Sequence, residues 1–268
     1  MIIMKKLFVM LALASVVLAS CSKDKEDANI ADKIIGKWML SETNGNAVPT
    51  NEKFVYTFES ATEGYVSASR VDISEDSHIW TNYMPSEISI DGNSIIIAGN
   101  LNKSISFEAD LQVKSISGDE MVAELKFSVK HNGTEIFNRS STIKMVKVAR
   151  EYSTEILGEW EGRNTNEEGS VFDDGQVHRW KYFDDDTYIY YSLDADSNWV
   201  ATESEFCDYF VDGTLLCTRW KNVGENETEN HEWWEIESIA DGVMNWTALR
   251  HRDDGSSYMA TFRMTKVQ

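Results

Sequence analysis

Along much of the chain, apolar and polar positions alternate. The stretches "SISFEADLQV" (104–113), "MVAELKFSV" (121–129) and "YMATFRMTKV" (258–267) put apolar side chains largely at every second position. A period of two lines one face of an extended strand, and the β-branched and aromatic content agrees with that reading. "SIIIA" (94–98) and "TYIYYSL" (187–193) are shorter runs of the same kind. Turn pairs punctuate them: Asp91-Gly92, Gly118-Asp119, Asn132-Gly133, Asp212-Gly213, Asp241-Gly242 and Asp254-Gly255. Such dipeptides tolerate the positive φ of tight hairpins. Helical period is confined to two short turns, at 31–35 and 153–157, each just ahead of a Gly-x-Trp. Many short strands without a long helix predict an up-and-down antiparallel barrel or sandwich. Closure removes the edges that an open meander leaves exposed.

The pattern is written twice. "IIGKWML" (34–40) returns as "ILGEWEG" (156–162), and three later blocks follow in the same order. "SIDGNSIIIAG" (89–99) matches "FVDGTLLCTRW" (210–220). "VKSISGDEMVAELKF" (113–127) matches "EIESIADGVMNWTAL" (235–249), and "HNGTEIFNRSSTIKMVKV" (131–148) matches "RDDGSSYMATFRMTKV" (252–267). Four blocks in one order define a tandem duplication with a boundary near "AREYSTE" (149–155). The expected units are residues 32–149 and 150–268, each an all-β meander barrel.

A short helical turn, a Gly-x-Trp opening the first strand, and a meander ending in a basic residue together resemble the lipocalin superfamily. More closely the chain resembles the lipocalin-like domains of Bacteroidetes lipoproteins, twice over. The resemblance implies that each tryptophan closes one end of a barrel and packs against a cation from the last strand, the glycine allowing the close approach. Carried over, Gly36 and Trp38 belong with Lys144 or Lys147, and Gly158 and Trp160 with Arg263 or Lys266. Each unit is shorter than a typical lipocalin and lacks its C-terminal helix, which argues against a deep calyx. The resemblance also implies a small apolar or amphipathic ligand.

The N-terminus changes the expected location. Lys5 and Lys6 precede the apolar run "LFVMLALASVVLA" (7–19), a secretory signal pattern spanning residues 1–20. "LASC" (18–21) resembles the bacterial lipobox, in which Cys21 receives acyl chains such as palmitate and becomes the mature N-terminus. Residues 21–31 then read as the lipidated cysteine and a flexible acidic tether. The implied setting is an outer-membrane lipoprotein of the cell envelope, facing either the cell surface or the periplasm.

Charge narrows the partners. The chain carries 25 Lys and Arg against 45 Asp and Glu, a formal net charge of −20. That excess repels nucleic acid and anionic headgroups and favours a soluble, monomeric body. Cys207 and Cys217 flank "DYFVDGTLL", so a hairpin turning at 211–213 sets them on neighbouring strands. A cross-strand disulfide and two buried thiols are the alternatives.

Catalytic patterns are sparse, and the reading is of a non-enzymatic chain without cofactor or metal. The five histidines are scattered, and "HEWWE" (231–235) lacks the second histidine of a zincin motif. "DADSNWVATESE" (194–205) carries acids at calcium-loop spacing, but Trp199 replaces the glycine that the loop's sharp turn needs. Tryptophan is the functional signal. The first unit holds Trp38 and Trp80, the second Trp160, Trp180, Trp199, Trp220, Trp233, Trp234 and Trp246. Trp233 and Trp234 are adjacent on a strand and face opposite ways. The candidate ligand-binding set is Trp180, Trp199, Trp220, Trp234 and Tyr188. The rival is a glycan- or protein-binding adhesin that uses exposed Trp faces and holds nothing inside its barrels.

Overall fold

The computed structural model describes residues 30–74, 77–165, 176–224, 229–252 and 254–268. The signal peptide, Cys21 and most of the tether lie outside the described residues.

Alternation folds as expected into antiparallel strands. In the first unit a short helix α1 (Ile30–Ile34) precedes β1 (Gly36–Thr43), β2 (Asn46–Ala47), a 3-10 turn (Thr50–Glu52), β3 (Phe54–Phe58), β4 (Glu63–Ser74) and β5 (Ser77–Asp91). Then follow β6 (Ser94–Asn100), β7 (Ile105–Ser117), β8 (Glu120–His131) and β9 (Thr134–Lys147). Each barrel strand pairs with the next in the chain, β2 being a small flap on β1. Because β1 also pairs with β9, the sheet closes on itself. The inward face of β8 reads Met121, Ala123, Leu125, and all three are buried. A one-residue slip would turn that face to solvent, which fixes the register.

The second unit repeats the path with β10 (Gly158–Asn164), β11 (His178–Tyr182), β12 (Tyr188–Leu193), β13 (Trp199–Ala201) and β14 (Ser204–Asp212). It ends with β15 (Leu215–Asn222), β16 (Asn230–Ala240), β17 (Val243–His251) and β18 (Ser257–Lys266). β10 pairs with both β11 and β18. The ring is not laddered shut. β12 gives its outer edge to β13 and meets β14 at one bridge, Thr187 to Asp208, beside a 2.9 Å hydrogen bond from Tyr209 N–H to the Asp186 carbonyl. The first barrel is closed; the second curls round to a seam.

The Gly-x-Trp motif has the same geometry in both. Trp38 pairs across the sheet with Lys147, and Trp160 with Lys266. Lys147 Nζ lies 5.5 Å from the Trp38 ring centre and Lys266 Nζ 5.0 Å from that of Trp160. Each indole N–H donates a 2.6 Å hydrogen bond to the carbonyl four residues earlier, Ile34 or Ile156, tying the floor to the preceding turn. Gly36 and Gly158 sit at φ of +116° and +110°, where a side chain is strained. A Cβ on Gly158 would also stand 3.0 Å from the Lys266 side chain. Of the two cations offered to each indole, the structure selects Lys147 and Lys266 and rules out Lys144 and Arg263 as the barrel-closing partners. Lys144 pairs instead with Glu42 and Glu120 at 3.0 and 2.9 Å, while Arg263 is exposed and faces Arg163 across the ladder. The reason is register: the cation level with each tryptophan sits three residues further along the strand.

The barrels dock through a third apolar cluster. Met39 and Val55 of the first pack against Phe210, Leu215 and Cys217 of the second, with Trp80, Val146, Val148 and Trp233 at the margin. The β14–β15 turn enters this seam. Buried Asp212 accepts hydrogen bonds from Lys37 Nζ and Ser67 Oγ, each at 2.5 Å, and Lys37 also binds Glu151 at 2.5 Å. Burial works to lower the Lys37 ammonium, but the hydrogen bonds to Asp212 and Glu151 outweigh it and hold its pKa above the usual value. Lys53 reaches Glu235 at 2.5 Å, and Leu249 N–H donates to Thr50 Oγ1 at 2.9 Å.

Candidate functional site

Alternation in the second barrel turns a set of large rings inward around a cavity of about 250 Å³. His178, Trp180 and Tyr182 enter from β11, Tyr188 and Tyr190 from β12, and Trp220 from β15. Trp234 comes from β16, Trp246 from β17 and Phe262 from β18. The rings brace one another: Trp234 and Trp246 lie 5.6 Å apart, Trp180 stands edge-on to Trp246 at 5.5 Å, and Tyr190 leans on Trp180 at 5.4 Å. Offset and edge-to-face contacts of this kind add about 0.5–1.5 kcal/mol each beyond area burial and hold the wall rigid.

Polar groups punctuate the wall. His178 Nδ1 is 2.9 Å from the Tyr190 hydroxyl, and its ring stacks on Trp180. Glu232 projects into the cavity and forms an ion pair with Arg250, whose guanidinium sits 4.9 Å over the Trp234 ring. Burial pushes the Glu232 carboxyl upward, and the Arg250 charge partly restrains the shift. Burial likewise raises the Tyr188 hydroxyl, which lies against Thr218 and Cys207. The Trp246 indole N–H is buried without an acceptor among the described residues.

Four of the five ligand residues read from sequence converge here: Trp180, Trp220, Trp234 and Tyr188. Trp199 does not. It lies on β13, outside the ring, with the Arg179 guanidinium 4.3 Å over its face. Trp199 pairs with Leu193, on the face of β12 opposite to the cavity-lining Tyr188 and Tyr190, so it points away from the lumen. Sequence reasoning missed His178, Tyr190, Trp246 and the Glu232–Arg250 pair. The strand period could have found Glu232, two residues before Trp234 on the same face.

None of the nine tryptophans is fully exposed, while Trp80, Trp180, Trp199, Trp220 and Trp233 are half-buried, which does not favour the adhesin reading. Trp233 does point away from its own barrel, and packs half-buried at the margin of the cluster between the barrels. Cys207 and Cys217 are both free. Their ladder partners are Trp220 and Phe210, so they are three rungs apart on opposite faces, one against the cavity and one in the seam. The calcium-like stretch is a turn: Asp194 spends its carboxylate on the N–H groups of Asp196 and Asn198 at 2.9 and 2.8 Å.

The first barrel also has a cavity, of about 300 Å³, lined by Leu40, Phe54, Tyr56, Val66, Met84 and Leu125 among others. At its mouth stand Asn51, Glu52 and Arg139. The two structures together define tandem meander β-barrels, each closed at one end by a Trp–Lys floor and hollow above it.

No family model matches the chain, and no curated protein matches it. Among solved structures, a double mutant of the vaccine antigen transferrin-binding protein B from Haemophilus parasuis Hp5 aligns at 10% identity with a TM-score of 0.23. The alignment covers 81% of this chain and 55% of that one, so the chain spans about half that protein's length. A score that low carries nothing beyond the alignment itself, and the barrel assignment stands on the strand pairings above.

Proposed function

We propose that the chain is a non-enzymatic, lipid-anchored envelope protein whose second barrel binds a small apolar or amphipathic molecule. The observation that carries this is the ring-lined cavity of about 250 Å³. Such a volume suits a compact ligand of one or two rings, and a mostly aromatic wall with few polar groups is the ordinary make-up of a ligand pocket. The acceptor-free Trp246 N–H favours a ligand carrying an oxygen or nitrogen acceptor, because a buried donor left unpaired is costly. The lipobox-like "LASC" supports anchoring through Cys21, with the chain monomeric at the outer membrane.

Titration of tryptophan emission tests the binding. Compact amphiphiles and aromatic acceptors of one or two rings are expected to quench it saturably in the full chain, with Trp220→Ala weakening the effect about tenfold. Occupancy should also slow alkylation of Cys207, followed by peptide mass spectrometry. Oligosaccharides that quench while every amphiphile fails would overturn the reading. Labelled palmitate should enter the chain and be lost in Cys21→Ala.

A further inference from the structure

The wall of the second barrel is left unzipped where the first barrel touches it. β16 and β17 pair from Ala240–Val243 to Glu235–Thr247 and no further, although both strands continue. The equivalent ladder of the first barrel, β7 with β8, runs on to Ile105–His131. Both ladders carry the same bulge, at Val113/Ser115 and at Ile236/Ser238, so their rungs correspond. Where the first barrel pairs Asp110 with Lys126, the second has no Trp233–Leu249 rung.

Side chains take over that rung. The Trp233 N–H donates to Glu232 Oε1 at 3.0 Å, and the Trp233 carbonyl accepts from Arg250 at 3.1 Å. Glu232 and Arg250 are themselves an ion pair, and Glu232 lines the second cavity, so the fork is filled from inside. The Leu249 N–H goes across the interface, to Thr50 Oγ1 at 2.9 Å, and Thr50 is only 1% exposed. A buried N–H needs an acceptor. This one has two within the fold: the Thr50 hydroxyl, or the Trp233 carbonyl of a closed rung. Those choices define two arrangements of one element.

Thr50 opens a short 3-10 turn, closed by N–H donation from Glu52 to Pro49 and from Lys53 to Thr50 at 2.9 and 3.2 Å, so these residues move together. Asn51 and Glu52 of the turn stand at the mouth of the first cavity. Its far end is held by Lys53 on Glu235, at 2.5 Å. The strand period turns Glu232 and Trp234 toward the second cavity, and Trp233 and Glu235 toward the first barrel. The run "EWWE" (232–235) thus lines one hollow and grips the rim of the other.

We propose that this fork couples the two barrels. While Glu232 and Arg250 hold it open, Thr50 is seated and residues 49–53 are pinned beside the first mouth. When that pair is disturbed, Trp233 and Leu249 close their rung, Thr50 is expelled and the first mouth widens. A coupling free energy is reciprocal, so removing the Thr50 hydroxyl favours the same closed rung. The coupling does not depend on what either hollow binds.

The test reads access to the first hollow from a cysteine placed in its wall, Val66→Cys or Met84→Cys in the full chain. Its rate of alkylation by N-ethylmaleimide is followed by peptide mass spectrometry. Cys217, fully buried in the seam, reports loosening of the whole body in the same sample. Thr50→Val should speed alkylation in the first hollow about fivefold, as loss of one neutral hydrogen bond requires. Thr50→Ser keeps the hydroxyl and should leave the rate unchanged. Glu232→Gln, inside the second barrel, should speed it about tenfold by weakening charge-assisted contacts, with Cys217 as slow as before. An unchanged first hollow in Glu232→Gln would overturn the proposal. So would a Cys217 rate that rises in step, or a Thr50→Ser effect equal to that of Thr50→Val. Thermal melts show that each reporter variant is folded.

Discussion

Replacing Asp212 with alanine should weaken the whole two-barrel body, because this carboxylate joins both halves. Its side chain is 5% exposed and takes Lys37 and Ser67 from the first barrel. A hydrogen bond to a charged group contributes about 1.5–3 kcal/mol, and breaking a fully buried ion pair costs about 3–5 kcal/mol. Lys37 is 27% exposed and keeps Glu151, itself 43% exposed, as a second partner. Solvent and that partner discount the loss to about 2 kcal/mol for Asp212→Ala. Lys37→Met strands a buried carboxylate with only Ser67, and should cost about 3 kcal/mol. The double variant strands nothing, so the two losses should fall short of additive by about 1.5 kcal/mol. Urea unfolding of the four proteins, followed by tryptophan emission, measures that coupling, and Trp233 in the seam reports on it directly. A coupling under about 0.5 kcal/mol would refute the claim that this pair holds the barrels together.

The floors make a sharper comparison of near neighbours. Lys266→Met and Lys147→Met should each cost about 1 kcal/mol as the cation leaves the indole, whereas Lys144→Met and Arg263→Met should leave the melting temperature nearly unchanged; thermal melts decide. Burial raises Tyr56, Tyr182 and Tyr188, pushes Tyr209 up to about 12, and Lys37 is raised by its acids. Groups raised on folding stabilise fully below their unfolded pKa, here near 10 for tyrosine and 10.4 for lysine, and lose that contribution as pH rises. Stability should hold to about pH 9.5 and fall above 10; tyrosinate absorbance that rises near pH 10 for every tyrosine while the fold persists would contradict this. In native protein iodoacetamide should modify Cys207 slowly and Cys217 only on unfolding, since burial raises both thiols and encloses Cys217 fully.

Most of the scaffold was legible because it follows from period and repetition. The alternation at 121–129 gives the buried face of β8, and the doubled Gly-x-Trp gives two floors. What escaped was set by register and by contacts distant in the chain. Lys147 and Lys144 lie three residues apart on one strand, and only the pairing with Trp38 decides between them. The seam at Asp212 joins residues 37, 67, 151 and 212, which no local pattern links. Trp199 sat in the right composition on the wrong face, because its ladder partner Leu193 alternates away from the lumen that Tyr188 and Tyr190 line.

The tryptophan excess then takes on a definite meaning. Of the second unit's seven, Trp160 is floor, Trp199 is outside and Trp233 is in the seam, leaving four around the cavity. The ladders put Trp180 where the first barrel has Tyr56, Tyr190 where it has Val66, and Trp246 where it has Ala123. Rings so much larger would fill an equal lumen if packing were their only role. Yet the two cavities differ little, about 250 against 300 Å³. The second copy has thickened its wall with rings while keeping the space, and has answered its inward arginine with Glu232. Duplication has thus kept one frame and given its two hollows different linings, one walled mainly by rings with the Glu232–Arg250 pair beside them, the other mixed aliphatic and aromatic.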